Sequence, residues 1–210
     1  DLDTELKQLN VMRALSEHQP VTIIPTYMGP HSIPKEYARA AQYIEFIIQK
    51  VLPEIKQQGI AKFADIFCEK GVFELQETRH YLEAAQAAGF PIKLHADEIY
   101  ELGGTGLGVD YHAVSVDHLL KASQTDIAKL AKSDTVATLL PLTAFVLKEP
   151  FAPGRAMIDA GCAVALASDF NPGSCYSQSI PLIIALAVLY MGFSIEETLT
   201  ALTLNGAAAC

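Results

Sequence analysis

Four short stretches of this chain carry residues whose types and spacing suit chemistry. The run IKLHA (92–96) contains His95 and is followed at once by Asp97 and Glu98. AVSVDHL (113–119) contains Asp117 and His118, and AVALASD (163–169) ends in Asp169, with Asn171-Pro172-Gly173-Ser174 just beyond. VTIIPTYMG (21–29) leads into His31. Imidazole and carboxylate are borderline ligands that suit Zn, Fe or Mn, and they also serve as general acids and bases. A single histidine after an apolar run is more often a hydrogen-bonded core residue than a ligand; the pattern lies in the repetition. Each residue has a plainer reading as well. Asp169 can cap the turn Asp-Phe-Asn-Pro-Gly, Asp117 can partner His118, and His31 beside Pro30 is balanced between loop residue and substrate contact. Asp97 reads as structural, pointing away from Glu98. His18, His80 and His112 read as surface or helix-end residues.

These residues need elements to position them. The candidate strands are 21–29, 62–68, 92–96, 113–119, 135–141 and 163–169. All but 62–68 are near-continuous apolar runs, the signature of strands buried on both faces of a parallel sheet. Helical patterns cover 3–17, 34–51, 75–88, 124–132, 154–160 and 178–191. The second opens on Ser32-Ile33-Pro34, with Pro in the first turn, and the third stops at Gly89. Ser194-Ile195-Glu196-Glu197 is a capping box that opens a last helix. Strand–helix alternation implies βα units and a parallel sheet.

Six such units are readable, whereas a (β/α)8 barrel has eight in about 250 residues. The chain is therefore an open α/β sheet or an incomplete (β/α)8 TIM-type barrel. An open sheet usually announces its cofactor by a Gly-rich turn after the first strand. Gly29-Pro30 is no such turn, and 103–108 misses GxGxxG because Val109 stands where the last glycine belongs. Gly103-Gly104 reads as the start of the connection to the next unit. In a barrel, catalytic groups sit at the C-terminal ends of strands. Every candidate strand except 62–68 and 135–141 presents a ligand-capable group there.

Composition sets the outer limits. The 210 residues suffice for one large domain, so 1–210 is read as part of a single barrel domain. A net charge of −9 argues against nucleic acid and anionic membrane surfaces as partners. Cys68, Cys162, Cys175 and Cys210 are scattered and read as reduced thiols, which implies a cytoplasmic protein. The start, DLDTELKQLN, has no basic and apolar regions of a signal peptide. The longest apolar run, 180–193, falls short of the roughly 20 residues that span a bilayer, so it reads as a buried helix.

Taken in order, KLHADEI, AVSVDHLL, MIDAG before a strand, and ALASDFNPGS resemble the imidazolonepropionase family of the metal-dependent amidohydrolase superfamily. TYMGPHSIPKEY resembles that family's Gly-x-His loop followed by Pro-x-x-Tyr, and the helix with Asn205-Gly206-Ala207 fits as well. The resemblance runs the full length of the chain. It implies an amidohydrolase barrel whose first two strands and β-sandwich segments are absent from this sequence, together with the family's His-x-His metal pair. It further implies one divalent metal, Zn or Fe, held in part by His95 and Asp169. By position, Glu98 and His118 match the catalytic pair around the attacking water, with Asp169 as proton carrier. His31 and Glu98 match substrate-binding residues. Asn171, Gly173 and Ser174 match the loop that holds substrate or product, where backbone N–H groups are expected to form a nest for a carboxylate. The implied reaction belongs to histidine degradation: hydrolysis of the cyclic amide of 4-imidazolone-5-propanoate, a small molecule, to N-formimidoyl-L-glutamate. Without the His-x-His pair the 210-residue chain alone is expected to be nearly inactive. A homodimer is the superfamily habit. Two other readings use the same strand ends: another amidohydrolase such as a purine-type deaminase, and a non-catalytic barrel fragment acting as an interaction module.

Overall fold

The computed structural model describes residues 1–210. The chain forms two compact units, Asp1–Lys93 and Leu94–Cys210.

The first unit runs α1 (Leu2–Ser16), β1 (Thr26–Tyr27), α2 (Ala40–Phe46), α3 (Leu52–Gln58), β2 (Phe63–Cys68) and α4 (Leu75–Ala87), and ends as β3 (Ile92–Ala96) begins. β1 and β2 are parallel, with Thr26 opposite Phe63 and Tyr27 opposite Ala64. The Ala64 N–H then donates to the Pro91 carbonyl at the entry to β3 (3.1 Å). The expected strand 21–29 contracts to two residues. Pro25 has no N–H to give a ladder, and Val21 and Ile24 are left exposed.

The expected helix 34–51 starts later and runs further. Pro34 opens a turn, its carbonyl accepting from the Tyr37 N–H (3.0 Å). Tyr37 then folds its ring against Tyr43 and Phe46, at 4.9 and 5.8 Å between centroids. Arg39 is extended, so the helix begins at Ala40. Ile47–Val51 widens into a π-helical turn between α2 and α3. The cause is Pro53 in the first turn of α3, which cannot donate back to the preceding turn. Gly59, at φ 68°, ends α3 in the left-handed conformation. Tyr27, Ile44, Ile47, Ile55, Ile66, Phe73, Tyr81 and Leu82 form the core of this unit.

The second unit holds the end of β3, then α5 (Gly104–Asp110), β4 (Ser115–His118), α6 (Gln124–Leu130), β5 (Val136–Leu139), α7 (Pro141–Leu147), α8 (Gly154–Asp159), β6 (Val164–Leu166), α9 (Ile180–Tyr190), α10 (Ile195–Leu202) and α11 (Leu204–Ala208). β4 pairs with β5 and β5 with β6, all parallel and in chain order. On the other side of β4, the Leu119 N–H donates to the Ala96 carbonyl at the end of β3 (3.2 Å). β4, β5 and β6 are buried along their whole length, which explains their continuous apolar sequences. β3 alternates instead: Ile92, Leu94 and Ala96 are buried, while Lys93 and His95 are half-buried. The Ser194–Glu197 capping box that opens α10 is present, with both reciprocal hydrogen bonds.

The expected last helix divides into α10 and α11, and two further helices, α7 and α5, have no counterpart in the sequence reading. α11 follows α10 after Thr203, and the Asn205 side chain ties it to the Val164 carbonyl (2.8 Å). α7 occupies the apolar stretch after β5 and starts on Pro141. α5 is the most instructive, because 103–108 contains four glycines and reads as a connection. Each interior helical glycine costs roughly 1 kcal/mol against alanine. Two of them are needed for close packing. A Cβ on Gly106 would stand 2.4 Å from Asp126 Oδ1 of α6, and one on Gly108 would stand 2.4 Å from Val116 Cγ1 of β4.

Candidate active site

In the second unit the chemistry-bearing residues gather at the C-terminal ends of the strands. His95 is the penultimate residue of β3, and Asp97 and Glu98 follow in the loop. His118 is the last residue of β4. Asp169 lies just past β6. The backbone is unusual at each of these ends. Asp97, His118, Leu119 and Asp169 have φ of 50°, 79°, 60° and 51°. These are left-handed values that cost a non-glycine residue about 1–2 kcal/mol each. Such strain persists only where surrounding contacts over-determine it.

Four side chains come together. The His95 and His118 rings are 5.2 Å apart between centroids, tilted by 51°. His118 Nδ1 stands 3.4 Å from Glu98 Oε1, and its Nε2 stands 4.0 Å from Asp169 Oδ2. His118 is 3% exposed and Glu98 9%, so the pair works in a medium poorer in water than the surface. Asp169 Oδ2 also accepts from the Thr143 hydroxyl of α7 at 2.6 Å. Glu98 and Asp169 thus both lie beside His118. Asp117, the candidate partner in the sequence, accepts from Ser115 Oγ (2.8 Å).

Asp97 is fully buried and structural. Its Oδ1 accepts from the N–H groups of Leu102, Gly103 and Gly104 at 2.8, 2.9 and 3.3 Å. Its Oδ2 accepts from the Thr105 N–H and hydroxyl at 2.8 and 2.6 Å. One carboxylate therefore satisfies the donors at the start of α5, which explains how a Gly-rich segment becomes helical. It also fixes the loop that carries Glu98.

The loop after Asp169 folds on itself. Asn171 Oδ1 accepts from the N–H groups of Gly173 and Ser174, both at 2.8 Å. Its Nδ2 donates to the Asp169 carbonyl at 2.7 Å and to Ser174 Oγ at 3.1 Å. The donors expected to form a backbone nest for a carboxylate are thus bonded to the Asn171 side chain in this structure. The arrangement is an Asx-type turn, made locally.

In the first unit, His31 follows β1 and its Nε2 lies 2.7 Å from Asp65 Oδ1, while its ring stacks on Phe67 at 6.2 Å. Asp65 is 1% exposed in the middle of β2, and Glu69, directly after β2, is equally buried. The strand 62–68, which presents no ligand-capable end in the sequence, thus carries a buried carboxylate. Its signal was an aspartate inside an otherwise apolar run. Thr143 had no signal beyond standing two residues after Pro141. His80 pairs with Glu45 near the surface (2.8 Å), and His18 and His112 are exposed. His95 and Asp169 offer the nitrogen and oxygen donors that Zn or Fe accepts, so the donor chemistry fits such an ion.

No protein-family model matches the chain. An amidohydrolase from Burkholderia ambifaria, with bound Zn, superposes with a TM-score of 0.71 at 19% identity, covering all of this chain and 57% of that one. A guanine deaminase from C. acetobutylicum gives 0.70 at 12% identity, over 100% and 56% of the two chains. An adenosine deaminase from Xanthomonas campestris, also with bound Zn, gives 0.67 at 14%, over 96% and 50%. The fold is that of the amidohydrolases, as a partial (β/α) barrel. In sequence the relatives are narrower. The chain is related along its whole length to imidazolonepropionases, at 57% identity to that of Bacteroides thetaiotaomicron and 53% to that of Clostridium tetani. It spans about half the length of these curated relatives, 51% and 50% respectively.

Proposed function

We propose that the protein carrying this chain hydrolyses the cyclic amide of 4-imidazolone-5-propanoate to N-formimidoyl-L-glutamate, with one divalent metal, Zn or Fe. The supporting observation is the cluster of His95, Glu98, His118 and Asp169 in a chain that matches imidazolonepropionases from end to end. The deaminase reading has only the shared fold behind it. No helix is long and apolar enough to cross a membrane. We assign the protein to the cytoplasm, acting on a small molecule.

In this reading His95 and Asp169 hold the ion. When bound, the metal supplies Lewis acidity that lets water act as a nucleophile near neutral pH. Asp169 takes the proton from the attacking water and returns it to the ring nitrogen as the amide bond breaks. His118 donates a hydrogen bond to the ring carbonyl oxygen as negative charge develops there. Glu98, beside His118 Nδ1, hydrogen-bonds a ring N–H or orients the water. His31, held by Asp65, contacts the substrate. Asn171, Gly173 and Ser174 line its binding site with a turn that is already formed.

The test is an assay of the intact gene product on 4-imidazolone-5-propanoate after loading with Zn or Fe, together with metal analysis. Formation of N-formimidoyl-L-glutamate with about one metal per chain is the expected result. No product from metal-loaded, folded protein would overturn the reading. The 210-residue chain alone serves as a control and is expected to show little turnover.

A further inference from the structure

We infer that Thr143 is a positioning residue that presents the Asp169 carboxylate in one working orientation; this rests on the role given to Asp169 above. The Thr143 hydroxyl donates to Asp169 Oδ2 at 2.6 Å from a side chain that is 1% exposed, which shields the donor from water. That same oxygen is the one facing His118 Nε2, at 4.0 Å. Holding Oδ2 on Thr143 keeps Asp169 from collapsing onto His118 in a close ion pair. It also leaves Oδ1 as the oxygen available to a metal or to a proton. The backbone of Asp169 is clamped from the other side, where Asn171 Nδ2 donates to its carbonyl at 2.7 Å. Side chain and main chain are thus fixed by separate bonds at a residue whose φ of 51° disfavours its conformation. Hydrogen bonds that orient a ligating carboxylate change metal affinity or activity by about 10–100-fold when removed.

The experiment compares Thr143→Val and Thr143→Ser in the intact gene product, reading metal retention against a mild chelator, kcat, KM and the circular dichroism spectrum. Valine keeps the shape and removes the hydroxyl, whereas serine keeps the hydroxyl. The valine variant is expected to fold, to lose metal about tenfold more readily and to fall at least about tenfold in kcat with little change in KM, while serine stays within about threefold of wild type. Wild-type metal retention and kcat in the valine variant would overturn the inference. So would equal damage in both variants, because a loss that serine shares does not come from removal of the hydroxyl. Should the valine variant not fold, Thr143→Ala is read in its place. If wild-type protein shows no turnover, the functional reading fails, and the metal-retention comparison decides the role of Thr143 on its own.

Discussion

Asp97→Ala should be among the most damaging single changes outside the catalytic residues. The carboxylate accepts the N–H groups of Leu102, Gly103, Gly104 and Thr105 and the Thr105 hydroxyl. Alanine removes every one of these acceptors. Leu102 and Gly103 are half-buried, so their donors can turn to water at a small loss. Gly104 and Thr105 are buried, and their N–H groups would be stranded. A stranded buried donor costs about 1–3 kcal/mol, and a lost but hydrated bond about 1 kcal/mol. Two of each gives a destabilisation on the order of 4 kcal/mol or more. α5 has little of its own to resist this, since glycines recur through its sequence. Asp97→Asn keeps one acceptor oxygen and should cost about half as much. Urea unfolding of the intact protein measures both: the midpoint should fall with the slope unchanged. A loss below about 1 kcal/mol in Asp97→Ala would refute the claim that this carboxylate holds α5 in place.

Three further outcomes are expected. His95→Ala and Asp169→Ala should lose metal and activity together, whereas His118→Ala should keep its metal and lose about 10²–10³ in kcat; an empty metal site in His118→Ala would refute its assigned role. Gly108→Ala should cost about 1–3 kcal/mol in a melting or urea experiment, because the new Cβ would lie 2.4 Å from the buried, stiff Val116 side chain. The third concerns pH. Hydrogen bonds from Arg155 hold the Glu197 carboxyl below its ordinary value, so its contribution to stability is present above the usual glutamate range and fades as pH falls through and below it. The melting temperatures of wild type and Glu197→Gln should therefore differ at neutral pH and converge in acid, and a gap that widened in acid would contradict the assignment.

Some of the molecule was readable from local sequence. A strand buried on both faces must be apolar throughout, so 115–118, 136–139 and 164–166 sit inside runs that announce them. IKLHA became β3 with no change of boundary. Gly89 and Ser194 marked a helix end and a helix start because caps depend only on neighbouring residues. The likeness to imidazolonepropionases was also written in short motifs, HADE and DFNPGS above all.

What stayed hidden depended on residues far apart in the chain. Nothing near GGTGLG says helix. The carboxylate of Asp97 and the tight approach to Val116 and Asp126 make it one. Residues 34–39 carry helix-start signals, yet Tyr37 gains more by packing on α2. His31 meets Asp65 across 34 residues, and Thr143 meets Asp169 across 26. The left-handed backbone at His118 and Asp169 is invisible in their residue types, because the contacts that stabilise it come from other elements. The sequence by itself determined which residues could do chemistry and roughly where their strands lay. Only the tertiary structure decided which of them meet, because hydrogen bonds and packing between distant segments override local preference.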